Sequence, residues 1–324
     1  NTAKIAKVGF FVGIVATGII LFILGIVYIA QGNPVKVSFG SGAWIPDFTK
    51  INTLVVFVSF ILAYAGVESS ASHVRDMDNP GKNYPKAILI LVVATILLDT
   101  LGGATVAATI PQNQLSLDTG VIQAYSYLIH HFGGGEWLVR LIAVVICLGV
   151  IAEIAAWVVG PSTAMLEAAE NGLLPKQMAK VNQHNVPINI VLVQGIIVSI
   201  WAVVLTLGGG GANLSFFVAM ALTVCIYLVA YVLLFLSYIK LVKEKDDLTR
   251  TYHIPGGKNV KIGVAMVGLL VSIFSFFISF FPPSDIGTGK GGTYLAILII
   301  SWLIIVVIPF VIYKYVGEKA SDKK

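Results

Sequence analysis

Eight long apolar runs, almost free of charge, decide what this chain can become. They cover about residues 8–30, 54–72, 86–109, 137–165, 188–207, 215–239, 262–281 and 293–315. At ~1.5 Å rise per residue, roughly 20 helical residues cross a hydrocarbon core ~30 Å thick. Most runs lack a polar stripe, as helices embedded in lipid require. The chain has 324 residues, 57% hydrophobic and 11% charged, against about 25% charged in an ordinary globular protein. A soluble domain could not hide that much apolar surface, so the expected fold is an all-α membrane protein with eight spans. The fourth run is overlong and holds Gly160-Pro161, which predicts a tilt or kink there.

The basic residues sort by side when alternate loops are assigned to opposite faces. One face collects 17 of them: Lys4, Lys7, Arg75, Lys82, Lys86, Lys176, Lys180, the group between Lys240 and Lys261, and the C-terminal lysines. The other holds Lys36, Lys50, Arg140 and Lys290. The positive-inside rule then places both termini in the cytoplasm. The net charge of +5 therefore speaks to topology rather than to nucleic acid. Two loop segments stand out. Residues 121–132 read as an amphipathic helix lying on the bilayer or on the protein, and residues 166–172 could continue the fourth helix. The stretch 243–250 reads as a solvated loop. Cys147 and Cys225 sit in apolar runs and read as packing residues. The chain begins Asn-Thr-Ala-Lys and reads as the later part of a longer protein.

Three acids fall inside the runs: Glu68, Asp99 and Glu153. A charge at mid-membrane costs roughly 2.5–3.5 kcal/mol on insertion scales, so such acids usually face a cavity or a partner. The apolar stretch 54–67 is too short to cross alone, so the second crossing must include Gly66, Glu68, Ser69 and Ser70. Small and polar residues at that depth fit a broken helix turned toward a cavity. They also fit a close helix–helix contact with Glu68 capping a neighbour. Glu153 and Trp157 share a helix face, with Gly149 and Gly160 leaving room beside it. That face could hold an amine through charge and cation–π contact, or it could be a packed Trp with a protonated acid. Tyr227 and Tyr231 also share a face, and their hydroxyls need partners in a dry interior, either a ligand or a neighbouring carbonyl. Asp99 fits either a proton or cation site or a helix-pairing group beside Gly102-Gly103. No phosphate-cradling loop, metal spacing or nucleophilic triad is present; the tetraglycine at 208–211 precedes no GK[ST], and His130-His131 point to different sides of a helix. No enzyme, metal or metabolic cofactor is expected.

Several stretches resemble one known family. They are FILAYAGVESSASHVRDMDNPGKNYPKAI at 60–88, GVIAEIAAWVVGPS at 149–162, NGLLP at 171–175, VCIYLVAY at 224–231 and YHIPGGK at 252–258. Together they resemble the glutamate/γ-aminobutyrate (GABA) antiporters of the amino acid–polyamine–organocation (APC) superfamily. GVES, NGLLP and IPGG mark the superfamily; AEIAxW and IYLxxY point to the glutamate/GABA branch.

The resemblance implies a twelve-helix inverted-repeat transporter, of which this chain is the portion from the fifth helix to the twelfth. Residues 1–50 would close the first repeat, 51–240 form the second five-helix repeat, and 241–324 carry a cytoplasmic loop and two accessory helices. The family's broken sixth helix falls on residues 66–70. Glu68 becomes its gating and pH-sensing acid, and Leu62 lines the substrate path with Gly66, Ser69 and Ser70. Glu153 and Trp157 match the acid and aromatic of the eighth helix, with Glu153 a second pH-sensing group. Tyr227 and Tyr231 match the paired tyrosines of the tenth. The first four helices, which hold the other half of the binding site, become partners of this segment, as does the lipid bilayer. The C-terminal plug of some members is absent or truncated, and Asp99 receives no role.

The function so implied is import of glutamate in exchange for γ-aminobutyrate by alternating access, acid-activated, in a bacterial inner membrane. The rival readings are an exchanger of another pair such as glutamine and γ-aminobutyrate, a cation-coupled symporter using Asp99 or the broken helix, and a non-transporting scaffold.

Overall fold

The computed structural model describes residues 2–37, 45–116, 119–207 and 212–317. The tetraglycine at 208–211 and the tail from residue 318, with Lys319, Lys323 and Lys324, lie outside the described residues. Among those described, every regular element is helical. α1 (Thr2–Val8) passes through a π-helical stretch (Gly9–Ala16) into α2 (Thr17–Ala30). Then follow α3 (Ile51–Tyr64), a 3-10 helix (Val67–Asp76), α4 (Pro80–Thr109), α5 (Gly120–His131) and α6 (Glu136–Glu170). The last four are α7 (Ile188–Leu207), α8 (Ala212–Glu244), α9 (Lys258–Ile278) and α10 (Gly291–Ile312). Eight helical runs among the described residues are long and apolar enough to cross a bilayer, and they fall on the eight apolar runs of the sequence. Large apolar side chains such as Leu89, Ile90, Leu192 and Ile196 stay exposed on them, which suits contact with lipid rather than water.

The chain forms two compact units, Asn1–Pro46 with Ala87–Pro161, and Asp47–Lys86 with Ser162–Lys324. In the first, the π-helical stretch and α6 meet backbone to backbone. A Cβ added to Gly149 would lie 2.8 Å from Gly13 Cα, and one added to Gly9 or Gly13 would run into Ala152 or Gly149. Lipid tails are as apolar as leucine, so helices in a bilayer gain little by hiding apolar surface; close backbone approach at small residues supplies the attraction instead. This corrects one expectation. The space beside Gly149, read as room next to Glu153, is filled by Gly13, because neither glycine has a side chain to hold the helices apart.

The amphipathic segment expected over 121–132 is α5, and it lies on the protein. Its Ala124, Tyr125, Leu128 and Ile129 are buried in one cluster with Leu21 and Tyr28 of α2. The Tyr125 hydroxyl donates to the Thr17 carbonyl. Burial pushes that phenol up to about 12, so its proton remains available to the bond. Cys147 is exposed on α6 rather than packed, whereas Cys225 is buried as expected.

The fourth span does continue past residue 166, to Glu170, and runs as one helix through Pro161. Proline has no N–H to offer the Trp157 carbonyl, which costs one rung but does not end the helix. The stop comes at Gly172, whose φ of 79° is the left-handed conformation that glycine tolerates best. There Gly172 N–H reaches the Ala169 carbonyl and Leu173 N–H the Ala168 carbonyl, the paired closure of a Schellman cap.

In the second unit α8 is the hub. Val218, Leu222 and Cys225 pack with Tyr294 and Leu298 of α10, and Val224 and Leu228 with Val55 and Val58 of α3. Ile239 packs with Ala265 and Leu269 of α9. The stretch 243–250 is largely exposed, as its composition suggested, but its Asp246 is anchored to α9. Buried Lys261 at the start of α9 donates to Asp246 Oδ1 at 2.8 Å, and Arg250 stands 3.7 Å from the same oxygen. The Lys261 hydrogen bond is the main cause that holds the Asp246 carboxyl below its ordinary range, with partial burial opposing it.

Candidate functional site

The second span supplies the site because it cannot stay helical. α3 has 14 residues, about 21 Å at 1.5 Å each, well short of a bilayer core. Ala65 then turns extended (φ −78°, ψ 153°) and Gly66 left-handed (φ 94°, ψ −2°). Gly66 is buried, and a left-handed residue there favours one without a Cβ. The chain resumes as a 3-10 helix over Val67–Asp76, with Glu68 in its first turn and Ser69 N–H bonded to the Gly66 carbonyl at 3.0 Å. Ten residues is long for a 3-10 helix, and such stretches often mark hinges.

The break is held by a tyrosine from α8. The Tyr231 hydroxyl accepts the Gly66 N–H at 2.9 Å and donates its own proton to Glu68 Oε2 at 2.7 Å. One side chain thus satisfies the backbone group freed by the break and orients the carboxylate next to it. Tyr227, one turn earlier, has its ring centroid 6.0 Å from that of Tyr231. It is half-buried, and its hydroxyl has no hydrogen bond among the described residues. Leu62 packs at the edge of the cluster formed by Val55, Val58, Val224, Leu228 and Ile278, as does Tyr231. Ser70 donates to the Val67 carbonyl at 2.6 Å and meets the Tyr84 hydroxyl at 3.0 Å. The result is an exposed carboxylate and an open phenol beside a helix break, able to meet an ammonium group and a carboxylate respectively. No cluster of three or more His, Cys, Asp or Glu is placed to hold a metal ion among the described residues.

A broken helix lined by polar groups, in a chain of eight apolar helices, is how solute transporters build a site at mid-membrane. Residues 1–307 match the family described as amino acid permease. The chain belongs to that family. It is 50% identical over 323 residues to a glutamate/gamma-aminobutyrate antiporter of Lactococcus lactis subsp. lactis, and 51% identical to one of subsp. cremoris. Each alignment takes in 99% of this chain and 64% of the relative, so the chain spans just under two thirds of those curated proteins. An uncharacterized transporter of Legionella pneumophila is 30% identical, over 99% of this chain and 68% of its own length.

As an amino acid permease the chain has its sequence-read residues in two groups. Leu62, Gly66, Glu68, Ser69, Ser70, Tyr227 and Tyr231 gather in the second unit around the break. Glu153 and Trp157 lie on α6 in the first unit, both exposed, as does Asp99 on α4. None of these three has a hydrogen bond or ion pair among the described residues. Tyr84 was not read as a site residue. It stands between Asn83 and Pro85 at a helix start, where no periodicity marks a functional face, and only the fold brings it to Ser70.

Proposed function

We propose that this chain is part of an antiporter that imports glutamate in exchange for γ-aminobutyrate by alternating access. The observation that carries this reading is the half-identity, along nearly the whole chain, to two proteins named for that exchange. The geometry at the break supports it. Glu68 stands ready to meet an amino group, Tyr227 to meet a carboxylate, and the Gly66 break to flex. In this reading Leu62, Gly66, Ser69 and Ser70 line the path with Tyr231, Glu153 and Trp157 border it, and Glu68 and Glu153 sense pH. Residues 51–240 form the second five-helix repeat, and no metabolic cofactor takes part. The 17-to-4 division of basic residues supports cytoplasmic termini in a bacterial inner membrane.

Exchange of this kind suits acid resistance. When the exported form carries one more positive charge than the imported form, each turnover removes a proton's worth of charge from the cytoplasm.

The test is transport by the full-length protein in liposomes. Uptake of labelled glutamate should require γ-aminobutyrate inside and should rise at acidic pH. Uptake into empty vesicles driven by a sodium gradient would instead make the protein a symporter, and no glutamate uptake under either condition would discard this substrate pair.

A further inference from the structure

The hydroxyl network around the break assigns a direction to each of its bonds. Ser70 has one hydroxyl proton, and at 2.6 Å it is committed to the Val67 carbonyl. The contact between Ser70 Oγ and Tyr84 Oη at 3.0 Å must therefore be donated by Tyr84. The chain of donors runs from the Tyr84 phenol to the Ser70 hydroxyl to the Val67 carbonyl, and polarisation along such a chain strengthens each link. Tyr231 does the equivalent work at Gly66 and Glu68 from α8. The first turn of the 3-10 helix is thus gripped by two phenols from two different helices.

The position of Tyr84 is itself fixed. Pro80 opens α4 at the first helical residue, where its missing N–H is no loss, and the Asn79 carbonyl accepts from Lys82 and Asn83. Gly81, in the same turn, lies so close to Thr251 that an added Cβ would stand 2.5 Å from the Thr251 carbonyl oxygen. The Tyr84 hydroxyl therefore comes from a turn that is seated against the segment after α8.

We propose that Tyr84 is a positioning residue for transport: through Ser70 it sets the register of the 3-10 limb and hence the place of Glu68 at the break. The proposal rests on the exchange reading above for its transport readout, and on the limb alone for its structural one. If the limb must shift during alternating access, the Tyr84–Ser70 bond acts on the rate of that step and not on substrate contact.

The experiment uses the full-length protein with Tyr84→Phe, Ser70→Ala and both together. In γ-aminobutyrate-loaded liposomes, Tyr84→Phe should change the maximal exchange rate roughly fivefold, the worth of one neutral hydrogen bond, with the KM for glutamate within about twofold of wild type. The double variant should behave like Ser70→Ala alone, because losing the Ser70 hydroxyl already breaks both links of the chain. Hydrogen–deuterium exchange should speed up across residues 67–71 in both single variants and leave α3 unchanged. That readout needs no substrate, so it separates failure of this proposal from failure of the glutamate reading. Unaltered exchange at 67–71, additive effects in the double variant, or a raised KM at unchanged maximal rate would each overturn it; the last would mean that Tyr84 touches substrate. Should Tyr84→Phe not assemble, Ser70→Ala tests the same link from its other end.

Discussion

Glycines at two places in apolar helices, Gly66 in the second unit and the Gly13–Gly149 pair in the first, look alike in sequence and do opposite things. At Gly13 and Gly149 the helices continue, and what matters is the absent side chain, which lets two backbones touch. At Gly66 the helix stops, and what matters is the backbone angle, φ 94°. For residues 66–70 the sequence left both readings open, a break or a close contact. The deciding differences are run length and partners. The first run is apolar for a full crossing, so breaking it would strand backbone groups in lipid. The second runs out after 14 helical residues, and Tyr231 arrives to satisfy the freed Gly66 N–H. A glycine breaks a membrane helix where something else can take over its hydrogen bonds.

The largest expected effect comes from filling the contact. Gly149→Leu or Gly13→Leu forces the two helices apart, and unfolding measured in detergent should show a loss of about 3 kcal/mol or failure to assemble, the upper end for overpacking. Next is the angle. Gly66→Ala places a Cβ in the left-handed region at a cost of about 1–2 kcal/mol, and glutamate exchange should fall steeply with it. Asparagine sharpens the contrast, since it tolerates left-handed backbone but not a steric squeeze. Gly66→Asn should therefore be milder than Gly66→Ala, while Gly13→Asn should be worse than Gly13→Ala. The reverse order at either site would show that the two glycines have been assigned the wrong roles.

A smaller effect separates the bond at the break from its charge. Tyr231→Phe leaves the buried Gly66 N–H without its acceptor and should cost about 1 kcal/mol, with exchange reduced at every pH. Glu68→Gln keeps an oxygen to accept from Tyr231 and removes the charge, so it should preserve stability and flatten the pH profile of exchange. If both variants give the same profile, Glu68 does not sense pH. The smallest effect lies away from the break. The Asp246 carboxyl is held low by Lys261, so its stabilising contribution is complete above the ordinary carboxylate range. It is lost only as pH falls through the lowered value. Across mildly acidic to neutral pH, Asp246→Asn should lower thermal stability by a constant amount and leave the pH profile of exchange unmoved.

Legibility in the sequence followed the physics of the solvent. Lipid tolerates few charges over long stretches, so the eight crossings could be counted from composition, and residues 54–67 were visibly too short to cross. The Glu68 and Tyr231 positions stood out for the same reason, as polar groups where polar groups are expensive. Their pairing did not, because 163 residues separate them and nothing in a single chain states which helix faces which. Lys261 shows the limit from the other side. It counted only as one of the basic residues of the cytoplasmic face, yet it is buried on Asp246, a fact that depends on how α8 and α9 fold back on each other.

By itself, then, the sequence determined the medium, the number of crossings, the segment too short to cross on apolar residues alone and the family, since each depends on local composition or on motifs read in order. The tertiary structure decided that Gly149 is a contact and not a void, that one phenol holds both Gly66 and Glu68, and that Tyr84 reaches Ser70. Those outcomes depend on which backbone approaches which, and approach distances are set by the whole packing of the helices.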